Sequence, residues 1–304
     1  MYNKLYTPTE WASIRSRCRF DAVKDASELF KASCASSVFD SRYAGIRESR
    51  DADNDHSSTP LIIGFDVTGG NDFIAKELVT HIVNELIFLC GGCISGGCMH
   101  FMFAGIGDIT NDMTPLQVTD FRSDIGLYDD LMRINLEKGG SGDGVSYNLL
   151  WYYASRHIRS DHFEKRGRKG FLFTIGTNAC RQGLSVVDIG RTCGDDISES
   201  LTNNDLFSMA EQQFNVFHIH LSDGSAKSKQ VFNKWREDHP THVTELRIDD
   251  ICLLPELMDA VMTYSSCGDV QSIMKSLAPE IAVKLARPLG FIINDNRSGG
   301  SIIF

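Results

Sequence analysis

Apolar residues fall along the chain in two alternating patterns. Short continuous runs, Leu61-Ile62-Ile63-Gly64-Phe65, Phe101-Met102-Phe103-Ala104, Phe171-Leu172-Phe173-Thr174-Ile175 and Val216-Phe217-His218-Ile219, are separated by longer segments whose apolar residues stand three and four apart. The runs are too short for helices and lack the polar alternation of a half-exposed strand, so they predict strands buried on both faces. The segment after the first run carries Ile74, Leu78, Ile82, Leu86 and Leu89, the stripe of a helix lying on a sheet. Strands alternating with helices predict an α/β fold, a doubly wound, mostly parallel central sheet with helices on both faces.

In chain order, the pattern predicts an amphipathic helical preface over 9–30, clearest over 21–30, and a polar surface loop over 49–58. Strands follow at 60–66 and 98–106, then an alternating edge strand at 116–121 and a helix at 125–136. A glycine-dense loop over 137–144 leads into a strongly apolar helix at 145–157. The strand at 170–175 precedes a helix over 197–213, with Asp196 or Ser198 as its cap. A strand at 215–221, a helix through Trp235, an edge strand at 243–248, a helix at 254–264 and a helical then irregular tail complete the chain. The organisation expected is an extension over 1–58, one α/β domain over 59–265 and a tail over 266–304.

Composition narrows the function classes. A formal net charge of −10 argues against a binder of nucleic-acid phosphates, and the basic run Lys165-Arg166-Gly167-Arg168-Lys169 reads as the solvated lead-in to a strand. No segment reaches the roughly 18 apolar residues of a membrane span, and no signal-peptide pattern opens the chain. Nine unevenly spaced cysteines in a chain of this length predict a reducing, cytoplasmic setting.

Open parallel sheets hold ligands beyond the carboxyl ends of their strands. Three loops are expected there: Asp66-Val67-Thr68-Gly69-Gly70, the stretch from Gly139 to Ser146, and Gly176-Thr177-Asn178. A carboxylate beside hydroxyls on glycine-rich backbone is a hard-oxygen environment suited to Mg²⁺ or Mn²⁺. Asp66 and Thr68 are the core candidates, with Ser141, Asp143, Ser146, Asp108 and Thr177 as further ones. The competing reading is that Asp66 and Thr68 cap the following helix. A second ligand-type spacing, Cys90-x-x-Cys93-x4-Cys98-x-His100, would suit tetrahedral zinc, against which stands the ordinary burial of free cysteines at the end of an apolar helix and the start of an apolar strand. His218 and His220, two apart on a strand, face one side together and are expected to be hydrogen-bonded beneath a helix. The Gly139 loop lacks the Lys-Ser/Thr of a phosphate-binding loop, and no Ser–His–Asp set can be assembled.

Asp66-x-Thr68-Gly69 after a buried strand resembles the metal-ion-dependent adhesion site of von Willebrand factor A domains, whose first motif is Asp-x-Ser/Thr-x-Ser. Glu48-Ser49-Arg50-Asp51, Gly105-Ile106-Gly107-Asp108, Pro115-Leu116-Gln117-Val118-Thr119, the Gly139–Gly144 loop with Ser146-Tyr147, and Phe163-Glu164-Lys165-Arg166-Gly167 with the strand after it extend the resemblance, in order, to von Willebrand A-like proteins of bacteria and their phages. It covers about residues 45–265. Gly70 stands where the family has a hydroxyl, and Gly176-Thr177-Asn178 where it has an Asp; Ser141 and Ser146 both compete for its middle Thr. The resemblance implies a non-enzymatic adaptor or scaffold that docks a protein, with Mg²⁺ bridging to an acidic side chain of the partner. It leaves open a phage structural or virion-associated protein that self-assembles and whose metal site has decayed. A third reading, an Mg²⁺-dependent hydrolase using Asp66 and Asp108, lacks a visible base or nucleophile.

Overall fold

The computed structural model describes residues 8–33, 35–52, 57–93, 97–140 and 144–293. Its strands are β1 (Arg47–Ser49), β2 (Ser57–Asp66), β3 (Gly97–Ile106), β4 (Leu116–Val118), β5 (Ile158–Ser160), β6 (Gly170–Gly176), β7 (Phe214–Ser222) and β8 (Val243–Arg247). Six form one sheet in the order β4-β3-β2-β6-β7-β8; β4 runs antiparallel at one edge and every other pairing is parallel. β1 and β5 make a separate two-stranded parallel ladder, Arg47 opposite Ile158.

The doubly wound architecture follows from strands that are apolar on both sides. Leu61, Ile63 and Phe65 point into one core with Phe101, Phe103 and Phe173, while Ile62 points into the other with Met102, Ala104 and Leu172. Helices Val83–Cys93, Leu254–Cys267 and Pro279–Ile292 cover the first face; Tyr147–His157, Asn203–Glu211 and Ala226–Asp238 cover the second. Among the described residues no helix is long and apolar enough to cross a membrane.

Several sequence expectations change. The predicted helix over 9–30 stops at Cys18, because Arg19 turns left-handed (φ 51°), and two short 3₁₀ turns follow, the second closed by a reciprocal Asp25–Glu28 capping box. The polar 49–58 stretch begins in β1 and ends in β2, since hydrogen-bond partners on β5 and β3 outweigh its polar composition. The helix over 197–213 starts only at Asn203: Thr202, in a capping box with Asp205, is the cap rather than Asp196 or Ser198, and Leu201 bridges to Leu184. The helix after β2 is continuous but contains a π-turn at Leu78–Ile82 that keeps its apolar side on the sheet. Described residues of both flanking segments pack on the domain. Ile14, Phe20 and Phe30 of the extension, and Leu285, Leu289 and Ile292 of the tail, enter the same core as β2, and the Thr244 hydroxyl donates to the Pro288 carbonyl at 2.7 Å.

Gly64 sets the spacing between the sheet and helix Tyr147–His157. A Cβ there would stand 2.4 Å from Cδ2 of Leu150 and 2.8 Å from Cδ1 of Ile106, so glycine is what lets the helix lie this close. Gly64→Ala is expected to destabilise the chain by about 2 kcal/mol through overpacking, read as a lowered urea midpoint with unchanged slope.

Candidate functional site at the carboxyl edge of the sheet

From the central pair β2 and β6 the sheet grows outward to β3 and β4 on one side and to β7 and β8 on the other. The loops leaving β2 and β6 therefore diverge at the switch point, where an open sheet forms a crevice. Asp66 ends β2 at that point and is completely buried.

Its carboxylate accepts five hydrogen bonds. Oδ1 receives the backbone N–H of Thr68 at 2.8 Å and its hydroxyl at 2.6 Å. Oδ2 receives Nδ2 of Asn71 at 2.9 Å, Nδ2 of Asn178 at 2.9 Å and the Tyr147 hydroxyl at 3.3 Å. The donors come from the loop after β2, the loop after β6 and the first turn of helix Tyr147–His157. The Thr177 hydroxyl donates to Oδ1 of Asn71 at 2.9 Å, which fixes that amide with its N–H₂ toward Asp66. Gly176 makes room for the phenol: a Cβ there would lie 1.9 Å from the Tyr147 hydroxyl oxygen. Burial pushes the Asp66 carboxyl above its ordinary range, and the Thr68 and Asn178 side chains pull it back. The Tyr147 phenol is raised well above its ordinary value, first by burial and then by the adjacent Asp66 charge.

This donor set does not fit a hard dication. Mg²⁺ or Mn²⁺ needs oxygen lone pairs directed at one point; here N–H and O–H groups point at the carboxylate, and the Thr68 hydroxyl gives its own proton to it. Asn178 lies in the Gly176-Thr177-Asn178 turn, the stretch where the resemblance leads one to expect an Asp. A carboxamide in that position offers an N–H where a carboxylate would offer a lone pair, so it neutralises Asp66 by hydrogen bonding.

The other expected ligands are placed elsewhere. Ser146 is buried, but its hydroxyl accepts from the Ile109 N–H at 3.0 Å and ties down the turn after β3. Asp108 closes that turn, accepting from the Thr110 N–H at 2.8 Å, with Nη1 of Arg181 at 3.7 Å. Thr177 acts through Asn71. Ser141 and Asp143 lie outside the described residues. The helix-cap alternative holds only in part: Asp66 binds the Thr68 N–H, while Asn71, which precedes helix Asp72–Glu77, makes no side-chain cap bond. Sequence reasoning passed over Asn71, Asn178, Tyr147 and also Asp112, a buried carboxyl that accepts from the Asp108 N–H at 2.6 Å and is pushed upward by burial and by Glu137, Asp108 and Asp66. Asn178 and Tyr147 stood inside motifs already singled out, but as amide and phenol they gave no ligand signal.

The zinc quartet is divided by the sheet. Cys90 packs with Met99 and Phe101 in one core, whereas strand alternation turns Cys98 and His100 to the opposite face, where Nδ1 of His100 meets the Ser49 hydroxyl at 3.1 Å. The Cys93 side chain is outside the described residues. Among the described residues no group of three His, Cys, Asp or Glu side chains could hold a metal ion.

At the opposite end of β2, two motifs of the resemblance meet. Arg166 grips Asp51 through both nitrogens at 2.8 and 3.0 Å, Arg50 reaches Asp161 at 2.9 Å and also Glu164, and Lys165 reaches Asp161 at 2.8 Å. Arg166 holds the Asp51 carboxyl far below its usual range, and Lys165, foremost, holds that of Asp161 down at about 2.

The paired histidines lie under helix Ala226–Asp238, as the sequence suggested. Nδ1 of His218 meets the Thr174 hydroxyl at 2.9 Å and its ring stacks on Trp235 at 3.7 Å; Nε2 of His220 meets the Ser228 hydroxyl at 2.9 Å. Burial is the main reason that His218 is pushed well below 6.5, and His220 and His239 down to about 4.

No family model matches the chain, and neither does any curated protein. Among solved structures it is similar to the pilus adhesin SpaC of Lactobacillus rhamnosus GG in its open conformation, at 8% identity and a TM-score of 0.47, over 72% of this chain and 31% of the adhesin. A second structure of that adhesin gives 7% identity and a TM-score of 0.43 over 72% of this chain and 32% of the other. The chain thus spans about a third of the adhesin's length.

Two outcomes are expected. Unfolded imidazoles take up protons from about pH 6.5 downward, while the native His220 and His239 resist until about pH 4, so the native state binds fewer protons and loses stability across that window. Urea midpoints should fall between pH 7 and pH 4, and His220→Gln, which cannot charge, should flatten the fall. Asn178→Asp sets a second carboxylate against Asp66 and should cost about 3 kcal/mol at neutral pH. Protonation on acidification should recover part of that loss, and millimolar Mn²⁺ should raise the melting temperature of Asn178→Asp but not of the parent chain.

Proposed function

We propose that this chain is a non-enzymatic protein-binding module, an adaptor or scaffold of the von Willebrand A-like type, that docks its partner through the carboxyl edge of the sheet without a metal ion. The observation that carries this reading is the closed Asp66 cluster. Its donors and acceptors are satisfied by one another, so it ties the loops after β2 and β6 to the start of helix Tyr147–His157 and, among the described residues of the cluster, leaves no free nucleophile or base. The segments that follow β3 and β6 at this edge each carry an exposed apolar side chain. Met113 is 96% exposed and Val187 76% exposed, on segments tied together by Arg191 donating to the Ile109 carbonyl and Arg181 to the Thr110 hydroxyl. A rigid edge that presents large apolar side chains suits burial against a protein surface.

The closed cluster also favours a second reading, a phage structural or virion-associated protein in which the fold serves assembly and the metal site has decayed. Bacterial or phage origin and a cytoplasmic location belong to the resemblance and are part of this proposal.

Met113→Ser/Val187→Ser in a pull-down from the native source is the direct test. The parent chain should retain a discrete partner in the presence of EDTA, and the double variant should lose most of it at unchanged melting temperature. Release of the partner by EDTA, or its retention by the double variant, would sink metal-free docking at this rim. Concentration-dependent growth in light scattering, without any partner, would favour the assembly reading.

A further inference from the structure

On the flank where the extension packs against the domain lies a cavity of about 800 Å³, between the turns around Arg19 and the end of helix Gly126–Leu131. That volume is within the range of roughly 300–1,000 Å³ typical of small-molecule sites. Leu29, Val23 and Met132 supply apolar wall, and four cationic side chains, Arg17, Arg19, Lys31 and Arg133, face two acidic ones, Glu28 and Asp129. Asp129 pairs with Arg17 at 2.6 Å, whereas Glu28 accepts the Lys24 and Asp25 N–H groups at 2.8 and 3.0 Å and keeps its charge. Arg133 lies over the Phe39 ring at 4.8 Å and 3.6 Å from Asp130. Among the described residues Arg19 and Lys31 make no ion pair, and both are exposed at the cavity.

Arg19 is also one of two non-glycine residues with positive φ among the described residues, at φ 51° and ψ 44°. That left-handed turn ends helix Pro8–Cys18 at a position where glycine would sit without strain. Arg19 and Lys31, outside any ion pair among the described residues, outnumber the one unpaired acid, Glu28, at a partly apolar cavity, so in a chain of net charge −10 this cavity selects its ligand by charge as well as by shape.

We propose that this cavity binds a small organic anion, an apolar or aromatic body lying against Leu29 and Met132 with its phosphate, carboxylate or sulfonate group held by Arg19 and Lys31. The site is independent of the carboxyl-edge rim.

Fluorescence titration of the full chain with 8-anilinonaphthalene-1-sulfonate tests it, with the uncharged N-phenyl-1-naphthylamine as the body-only probe and inorganic phosphate as the head-only competitor. The sulfonate should bind saturably at one site, weaken with added salt, and bind more tightly than the uncharged dye; phosphate should compete weakly. Arg19→Gln/Lys31→Gln should weaken the sulfonate roughly tenfold or more, with circular dichroism and melting temperature unchanged. Arg19→Gly should raise the melting temperature and still weaken binding, which separates the backbone strain from the charge. Equal affinity for the two dyes, no saturable site, or unchanged affinity in the double variant would overturn the proposal.

Discussion

The structure depends on how a fully buried carboxylate is neutralised at the end of its central strand. Burying an unpaired carboxylate costs several kcal/mol or more. Asp66 is buried completely and meets that cost with five hydrogen-bond donors. Each donor is held in place by something else. Thr177 orients Asn71, the absent side chain at Gly176 admits Tyr147, and Trp235 donates to the Asn178 carbonyl at 3.0 Å. The cluster thereby links β2, β6 and helices on the second face, and its geometry is a consequence of the fold as much as a feature of it.

The same arrangement explains why the Asp66 cluster, as the described residues form it, is unsuited to a cation. A metal site and a hydrogen-bonded cluster need opposite polarity from their second residue. Exchanging carboxylate for carboxamide reverses that polarity without changing size, so Asn178 can stabilise Asp66 in a fold that otherwise supplies its loops to the same place.

The two ends of β2 solve different electrostatic problems. The amino end, partly open to solvent, binds Asp51 and Asp161 with arginine and lysine, where charged pairs are affordable because water remains near. At the carboxyl end, the fully buried Asp66 is met by neutral donors instead. The histidines under helix Ala226–Asp238 follow the second rule: burial disfavours their charged forms, and at His220 it outweighs the opposing pull of Glu245 and Asp223.

Much of this was legible in the sequence, and for a definite reason. A strand buried on both faces must be apolar at every position, so Leu61–Phe65, Phe101–Ala104 and Phe171–Ile175 announced both the sheet and its two layers of helices. Asp66 stood out because an acid ending such a run has few explanations. Local signals failed where partners distant in the chain decide the outcome. The helix over 9–30 breaks at Arg19, β1 forms only because β5 lies beside it, and the Cys90–His100 spacing is split by the sheet that passes between its members. The partners of Asp66 belong to this second group. That it was a site-forming residue could be read from its place at the strand end; that Asn178 and Tyr147, more than 80 residues away, would fill it with protons rather than a metal depended on which groups folding brought within about 3 Å. Sequence spacing carries no such distance, and only the tertiary structure decides it.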